Sequence, residues 1–388
     1  MAEAGSHEGD TNVRLRRTAI ILAAGALVLG ACTGDDDGEA GPTTDPPADD
    51  GGDGGDAGDD GGGDENGTEG GETLAAVQEA GVVRCGTRDE LPGFAVLEAG
   101  EHVGFDADFC RVIAAAVLGD AEAVEFVDLE TDDRFTALQS GEVDVLVRNT
   151  TWTATRDGAE GATFLQPNFY DGQGMMVAAD SGLESLEDLA GLVVCVAGGT
   201  TTEGNVATEF TRLGLDVPEV LPFDSPELLQ VAFQEDRCDG WSSDLSQLSG
   251  FRSSYPDGPE SLVIFEEAFS KEPLAPAVRD GDTQWAQVVN WAIMSTIQAE
   301  EYGLTSANVE EELADTDDPG IRQFLGEAGE DAVLDPGLGL PTDFALQVVL
   351  QVGSYGEIYE EHITPLGLER GLNSIWTDGG LLYAIPYR

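Results

Sequence analysis

The sequence predicts an α/β protein of two lobes, each a mostly parallel sheet covered by helices. Three observations carry this. Short apolar and β-branched runs alternate with segments of helical spacing, the pattern of strands joined by helical crossovers. The alternation runs once from residue 73 to 177 and starts again at about Leu183. The core-forming stretch, 73–388, also exceeds the usual size of one domain and suits two.

The elements follow in order. A helical segment at 73–80 precedes a strand at Val82–Gly86. Phe109, Val112, Ile113, Ala116 and Val117 recur at helical spacing, which predicts a helix over 105–118. A strand at 124–129, a short helix at 134–139 stopped by Gly141, and a strand at 143–147 complete the first round. The second round has a helical turn at 186–189 and a strand at 192–196. The turn Gly198-Gly199-Thr200-Thr201-Thr202 then leads into a helix over 203–213. A helix at 226–233, a strand opening at 239–242 and a helix at 245–251 close it, and a further helix is expected at 285–297. A strand running through a Gly/Thr turn into a helix N-terminus points free N–H groups and hydroxyls at one spot. No Walker lysine accompanies it, which argues against a nucleotide phosphate loop.

The N-terminal part is of a different kind. Arg14, Arg16 and Arg17 precede a 13-residue apolar run, Ala19–Ala31, which is short for a membrane-spanning helix. The run ends in Leu29-Gly30-Ala31-Cys32, and the whole resembles a bacterial lipoprotein signal. That resemblance implies removal of 1–31, lipidation of Cys32 and attachment to the cell membrane through lipid alone. Residues 33–72 hold 15 acidic side chains, many glycines and no lysine or arginine. With little to offset the entropy of ordering, residues 32–72 are expected to form a solvated tether.

The chain has 17 basic against 76 acidic residues, a net charge of −59, and Lys271 is its only lysine. Such a surface repels nucleic acid and anionic membranes and needs salt to screen it, so it reads as adaptation to a saline medium. Besides Cys32 there are Cys85, Cys110, Cys195 and Cys238. An even number in an exported chain suggests disulfides, with three pairings open. Neither the cysteine spacings nor the three scattered histidines form a metal-ligand set.

Several segments together carry a family resemblance: RCGTRDELPGF (84–94), GFDADFCR (104–111), DRFTALQSGEVDVLVRNTTWTATRD (133–157), VCVAGGTTTE (194–203), RCDGWSSD (237–244), QVGSYGEIYE (351–360) and GLNSIWTDGGLLYA (371–384). With others between them they cover most of 80–388. The chain resembles the family 3 solute-binding proteins of ABC importers, most nearly the general L-amino acid binders. The resemblance implies a type II periplasmic-binding-protein-like clamp with a hinge. Lobe 1 would comprise 73–177 together with 271–388, and lobe 2 would be 178–270. The crossings would lie near 174–177 and 269–277. It further implies a monomer without cofactor, delivering a free L-amino acid to a permease coupled to ATPase subunits. A covalent link between lobes would block the hinge, so within these lobes the preferred disulfides are Cys85–Cys110 and Cys195–Cys238.

An α-amino acid presents a carboxylate and an ammonium. A carboxylate asks for a guanidinium and further donors. By resemblance Arg156, in the turn Thr153-Ala154-Thr155-Arg156, takes that role, with Thr151, Thr200 and Thr201 as donors. The ammonium asks for a carboxylate, and Asp244 matches that place, although an aspartate before residues 245–251 also suits a helix N-cap. Phe94, Arg148, Asn149 and Trp152 are expected to wall the cleft or read the ligand side chain, with Arg88 and Glu90 as further candidates. A ligand sensor on the same clamp and an amino-acid lyase are the competing readings. Against the lyase, an Asp244 held beside an ammonium is expected to stay ionised, which makes a poor general base near neutral pH.

Overall fold

Two five-stranded sheets with the same pattern of strand directions organise the protein. The structure is a computed structural model describing residues 71–327 and 335–387, all within one compact unit. Residues 1–31, Cys32 and the acidic tract through residue 70 lie outside the described residues.

Lobe 1 begins with α1 (Glu72–Ala80), β1 (Val83–Thr87), β2 (Glu90–Leu91), β3 (Ala95–Glu98) and β4 (Glu101–Val103). It continues through α2 (Phe105–Leu118), β5 (Val124–Asp128), α3 (Arg134–Ser140), β6 (Val145–Leu146), α4 (Ala154–Ala159) and β7 (Ala162–Phe164). Strand β8 (Phe169–Asp171) leaves lobe 1. Lobe 2 holds β9 (Gln173–Ala178), β10 (Val193–Ala197), α5 (Thr201–Leu213), β11 (Glu219–Phe223), α6 (Pro226–Gln234), β12 (Gly240–Asp244), α7 (Leu245–Ser253) and β13 (Leu262–Ile264). Strand β14 (Glu272–Leu274) returns to β15 (Ala277–Arg279). Then α8 (Thr283–Glu301), α9 (Val309–Asp315), α10 (Pro319–Phe324), α11 (Phe344–Gln351) and α12 (Tyr355–His362) finish the chain on lobe 1.

The lobe 1 sheet has the order β5-β1-β6-β15-β7 and the lobe 2 sheet β11-β10-β12-β9-β13. In each, the first three strands are parallel and the fourth, next to a crossing, runs antiparallel to both neighbours. Helix α2 has the predicted bounds and is buried nearly all round, because the sheet lies on one side and α8 and α11 pack on the other. The structure joins Cys85 to Cys110 and Cys195 to Cys238, one disulfide inside each lobe, with Cα atoms 6.0 and 5.7 Å apart. At the C-terminal end, Trp376 and Tyr383 lie on the surface with ring centroids 5.5 Å apart.

The returning crossing, β14, lies within the expected 269–277, but the outgoing one differs from its expected position. Residues 174–177 belong to β9, a strand inside the lobe 2 sheet, so lobe 2 starts near Gln173 and not at 178. The pair that crosses is β8 with β14, antiparallel, in the register Asp171 opposite Glu272, Tyr170 opposite Pro273 and Phe169 opposite Leu274. The short apolar run at 174–178 reads equally as a sheet strand or a crossing strand, which is why periodicity misplaces it. Within this pair the bonds divide sharply. Tyr170 exchanges two hydrogen bonds with Asn373, Trp152 N–H donates to the Pro273 carbonyl, and Ala275 N–H donates to the Thr150 carbonyl, all on lobe 1. Asp171 accepts from Ser246 N–H of α7, and Glu272 accepts from Thr201 and Asn205 of α5, all on lobe 2.

Candidate ligand cleft

The cleft gathers side chains from both sheets at their loop ends. Lobe 1 supplies Arg88, Thr131, Arg134, Arg148, Asn149, Thr151 and Arg156. Lobe 2 supplies Thr200, Thr201 and Thr202 at the start of α5, and Trp241, Ser243, Asp244, Gln247 and Phe251 around β12 and α7. The space free of protein atoms is about 560 Å³, part of it continuous with solvent.

Arg156 sits in the first turn of α4. The Thr153 hydroxyl caps that helix by accepting from Arg156 N–H at 3.2 Å, which fixes the backbone that carries the guanidinium. The guanidinium donates to the Thr151 carbonyl at 2.9 Å and lies 5.9 Å from the Phe135 ring centre. So Thr151 orients Arg156 through its backbone. Across the cleft, the Thr200 hydroxyl donates to the Ala197 carbonyl at 2.6 Å and the Thr201 hydroxyl donates to Glu272 at 3.0 Å. Both hydroxyl protons are therefore engaged within the protein. The donors this turn offers a ligand are the backbone N–H groups opening α5, a helix that no side chain caps.

Asp244 occupies the N-cap position of α7 but makes no side-chain cap bond, so the capping alternative is not taken. Its carboxylate accepts from Gln247 at 3.3 Å. Burial, then the neighbouring Asp171 and Glu272 carboxylates, push Asp244 well above the usual carboxylate range, while Arg156 pulls it back. Burial likewise raises Asp171 to about 6. Taken alone, this is the reverse of the depressed Asp244 expected from the sequence. That expectation needs a cation placed beside the carboxylate, and the protein's own groups leave Asp244 short of one.

Arg148 is buried, donating to the Leu129 carbonyl at 2.8 Å and to the Thr131 hydroxyl at 3.3 Å, and desolvation followed by repulsion from Arg88 pulls it down to about 9. Asn149 takes a positive φ of 35°, which asparagine tolerates better than most residues. Its N–H donates to buried Asp106 and its side-chain oxygen accepts from Arg88 at 3.2 Å. Arg88 also pairs with Glu90 at 2.6 Å, so Arg88 and Glu90 form one unit at the cleft edge.

Two expected wall residues stand elsewhere. Phe94 is fully buried, edge-on to Phe105 and Phe169, and does not line the cleft. The N–H groups of Phe105 and Asp106 at the start of α2 donate to the carbonyls of Gly93 and Phe94, and this draws the loop inward. Gly104 permits the approach, because a Cβ there would strike the Phe94 carbonyl. Trp152 stacks on Phe164 outside the cleft, beside the crossing strand. Conversely, Arg134, Thr131 and Gln247 line the cleft without having been singled out. Arg134 opens a short helix and reads from sequence as an ordinary surface charge. Away from the cleft, Asp108, Glu361 and His362 bring their ligand atoms within 4.8 Å of one another, but Asp108 is already bonded to Arg111 and His362.

A pair of α/β lobes joined by two crossing strands, with a cationic wall facing a carboxylate, defines a two-lobed binding protein. The pattern of the bacterial extracellular solute-binding proteins, family 3, matches residues 83–307, and the chain belongs to that family. The glutamate/glutamine/aspartate/asparagine-binding protein BztA of Rhodobacter capsulatus is 45% identical over 320 residues, which is 81% of this chain and 93% of that protein. The general L-amino acid-binding periplasmic protein AapJ of Rhizobium johnstonii is 44% identical with the same coverage. A solved structure of an ABC transporter / periplasmic binding protein from Brucella ovis with glutathione bound superposes with a TM-score of 0.78 at 44% identity. It covers 81% of this chain and 99% of that chain. No helix among the described residues is long and apolar enough to cross a membrane.

Proposed function

We propose that this chain is the extracytoplasmic binding component of an ABC importer and holds a free L-amino acid between its lobes for delivery to a permease. The observation that carries the reading is the pairing of opposite poles across one cleft: Arg156 from lobe 1 and Asp244 from lobe 2. A zwitterion laid between them neutralises both. Its carboxylate meets Arg156 and the N–H groups opening α5, and its ammonium meets Asp244 beside Asp171 and Glu272. The similarity to the amino-acid binders BztA and AapJ supports the ligand class.

The partners in this reading are a membrane permease and, through it, ATPase subunits, with the binding protein acting as a monomer. Cys32 carries the lipid and the acidic tract tethers the lobes near the membrane. No catalytic step is assigned, since Asp244 serves the ligand as a counter-charge. Titration calorimetry in high salt, with each of the twenty L-amino acids, tests the reading. Binding of several is expected; heat from none of them would overturn it.

A further inference from the structure

Gly250 lies inside α7 with no positive φ to require it, although glycine is a poor helix former. The reason lies across the molecule. A Cβ there would stand 2.6 Å from the Pro92 carbonyl oxygen and 3.4 Å from a Leu91 methyl, both of lobe 1. The far end of α7 thus meets the loop after β2 almost backbone to backbone. Leu91 is fully buried at this junction although β2 has only two residues. One cluster of buried apolar side chains takes in Leu91 of lobe 1 with Leu248 and Phe251 of lobe 2, whereas the other two clusters each stay inside one lobe. The contact borders the ligand space, because Gln247 and Phe251 of the same helix line the cleft.

Both sides of this contact are held in place. Pro92 has a fixed φ, the Leu91 carbonyl accepts from Phe94 N–H at 3.1 Å, and the Gly93 carbonyl accepts from Phe105 N–H at 2.9 Å. On the other side, Leu245 N–H donates to the Gly172 carbonyl at 2.9 Å, which anchors the start of α7 beside the crossing strand. A second close approach is softer. A Cβ on Gly199 of lobe 2 would strike the Asp132 carboxylate of lobe 1, but Asp132 is exposed and its side chain can turn aside. Arg134 adds one long bond there, 3.3 Å to the Gly199 carbonyl, and its Nε–H has no partner. The firm stop between the lobes is therefore at Gly250.

We propose that Gly250 is a positioning residue for ligand binding: its bare backbone lets α7 seat against Leu91 and Pro92, and that seat sets how far the lobes shut. This rests on the reading of the chain as a two-lobed ligand clamp and concerns its closing, not the identity of its ligand. Any side chain at this position has to be accommodated by parting the lobes until the contact reaches an ordinary van der Waals distance. Arg156 and Asp244 then stand too far apart to grip one ligand together. The same substitution improves α7 itself, since almost every residue forms helix better than glycine. It therefore strengthens one lobe while weakening the grip between the two, and these opposite signs identify the role.

The test uses Gly250→Ala and Gly250→Leu, both of which bring a better helix former. Calorimetry in high salt with each of the twenty L-amino acids should show affinity falling for every one that binds the unaltered protein. The fall should be modest in Gly250→Ala and about tenfold or more in Gly250→Leu. The ligand-free melting temperature of both variants should equal or exceed that of the unaltered protein. X-ray scattering at saturating ligand should give a larger radius of gyration for Gly250→Leu than for the unaltered protein. Unchanged affinity in Gly250→Leu overturns the inference. So does a lower ligand-free melting temperature in both variants, which would make the contact part of the fold in every state. Binding of none of the twenty by the unaltered protein would instead overturn the proposed function.

Discussion

The two lobes share three adjacent parallel strands, an antiparallel fourth strand and an internal disulfide, yet they face the cleft with opposite chemistry. Lobe 1 presents four arginines, Arg88, Arg134, Arg148 and Arg156. Lobe 2 and the crossing strands present Asp244, backed by Asp171 and Glu272, and the N–H groups that open α5. The shared topology fixes where the loop ends meet. The side chains on those ends fix the polarity of the cleft, cationic on the lobe 1 side and anionic at Asp244. In the proposed reading the groups common to every amino acid are shared between the lobes, the carboxylate at Arg156 of lobe 1 and the ammonium at Asp244 of lobe 2.

The sharpest way to break this contrast is Arg156→Ala. Removing one partner of a buried charged pair costs about 2–5 kcal/mol. The loss should fall alike on all bound amino acids in calorimetry. A loss confined to one ligand would move Arg156 from carboxylate to side-chain recognition.

Acidity tests the lobe 2 side and should give the next largest effect. The protein's own groups raise Asp244 and bring Asp171 to about 6, so both hold protons more readily than ordinary carboxylates. An ammonium needs them ionised, so binding must release proton. Affinity should therefore weaken as pH falls from 7 to 5, by up to about tenfold per pH unit for each proton released. Calorimetry in buffers of different ionisation heat would count the protons, and Asp244→Asn should lower affinity while flattening the pH dependence. Proton uptake on binding would contradict the electrostatics described.

The smallest effect compares the two disulfides. They close loops with sequence separations of 25 and 43 residues. Chain entropy makes the longer loop worth about 0.5 kcal/mol more. Denaturant curves of Cys85→Ala/Cys110→Ala and Cys195→Ala/Cys238→Ala should therefore rank the lobe 2 bond slightly higher. The reverse order would show that packing around β1 and α2 outweighs loop length.

Much of the frame was legible in the sequence. Helix α2 announces itself through Phe109, Val112, Ile113, Ala116 and Val117, since helical spacing persists over 14 residues. The strands β2, β3 and β4 did not, because two to four residues give periodicity nothing to repeat. Arg156 and Asp244 were reached through chemistry and resemblance together, and the structure places both on the cleft. Phe94 was misread because its inward turn depends on carbonyls at 93–94 meeting the start of α2. Arg134 was missed for the opposite reason: its importance is an unmet donor, which no linear pattern displays.

The divided bonding of the crossing strands has a mechanical consequence. Tyr170 and Pro273 are stitched to lobe 1, while their neighbours Asp171 and Glu272 are stitched to lobe 2. These four residues form two adjacent rungs of one ladder. If the proposed clamp opens as a hinge, its pivot is expected between the rungs, at the peptides linking Tyr170 to Asp171 and Glu272 to Pro273. Pro273 fixes its own φ, so the swing there is left to the torsions of Glu272, whose carboxylate also grips α5. A residue of the crossing strand is thus bonded to the helix that opens onto the cleft, and the axle and one jaw of the proposed clamp are a single piece.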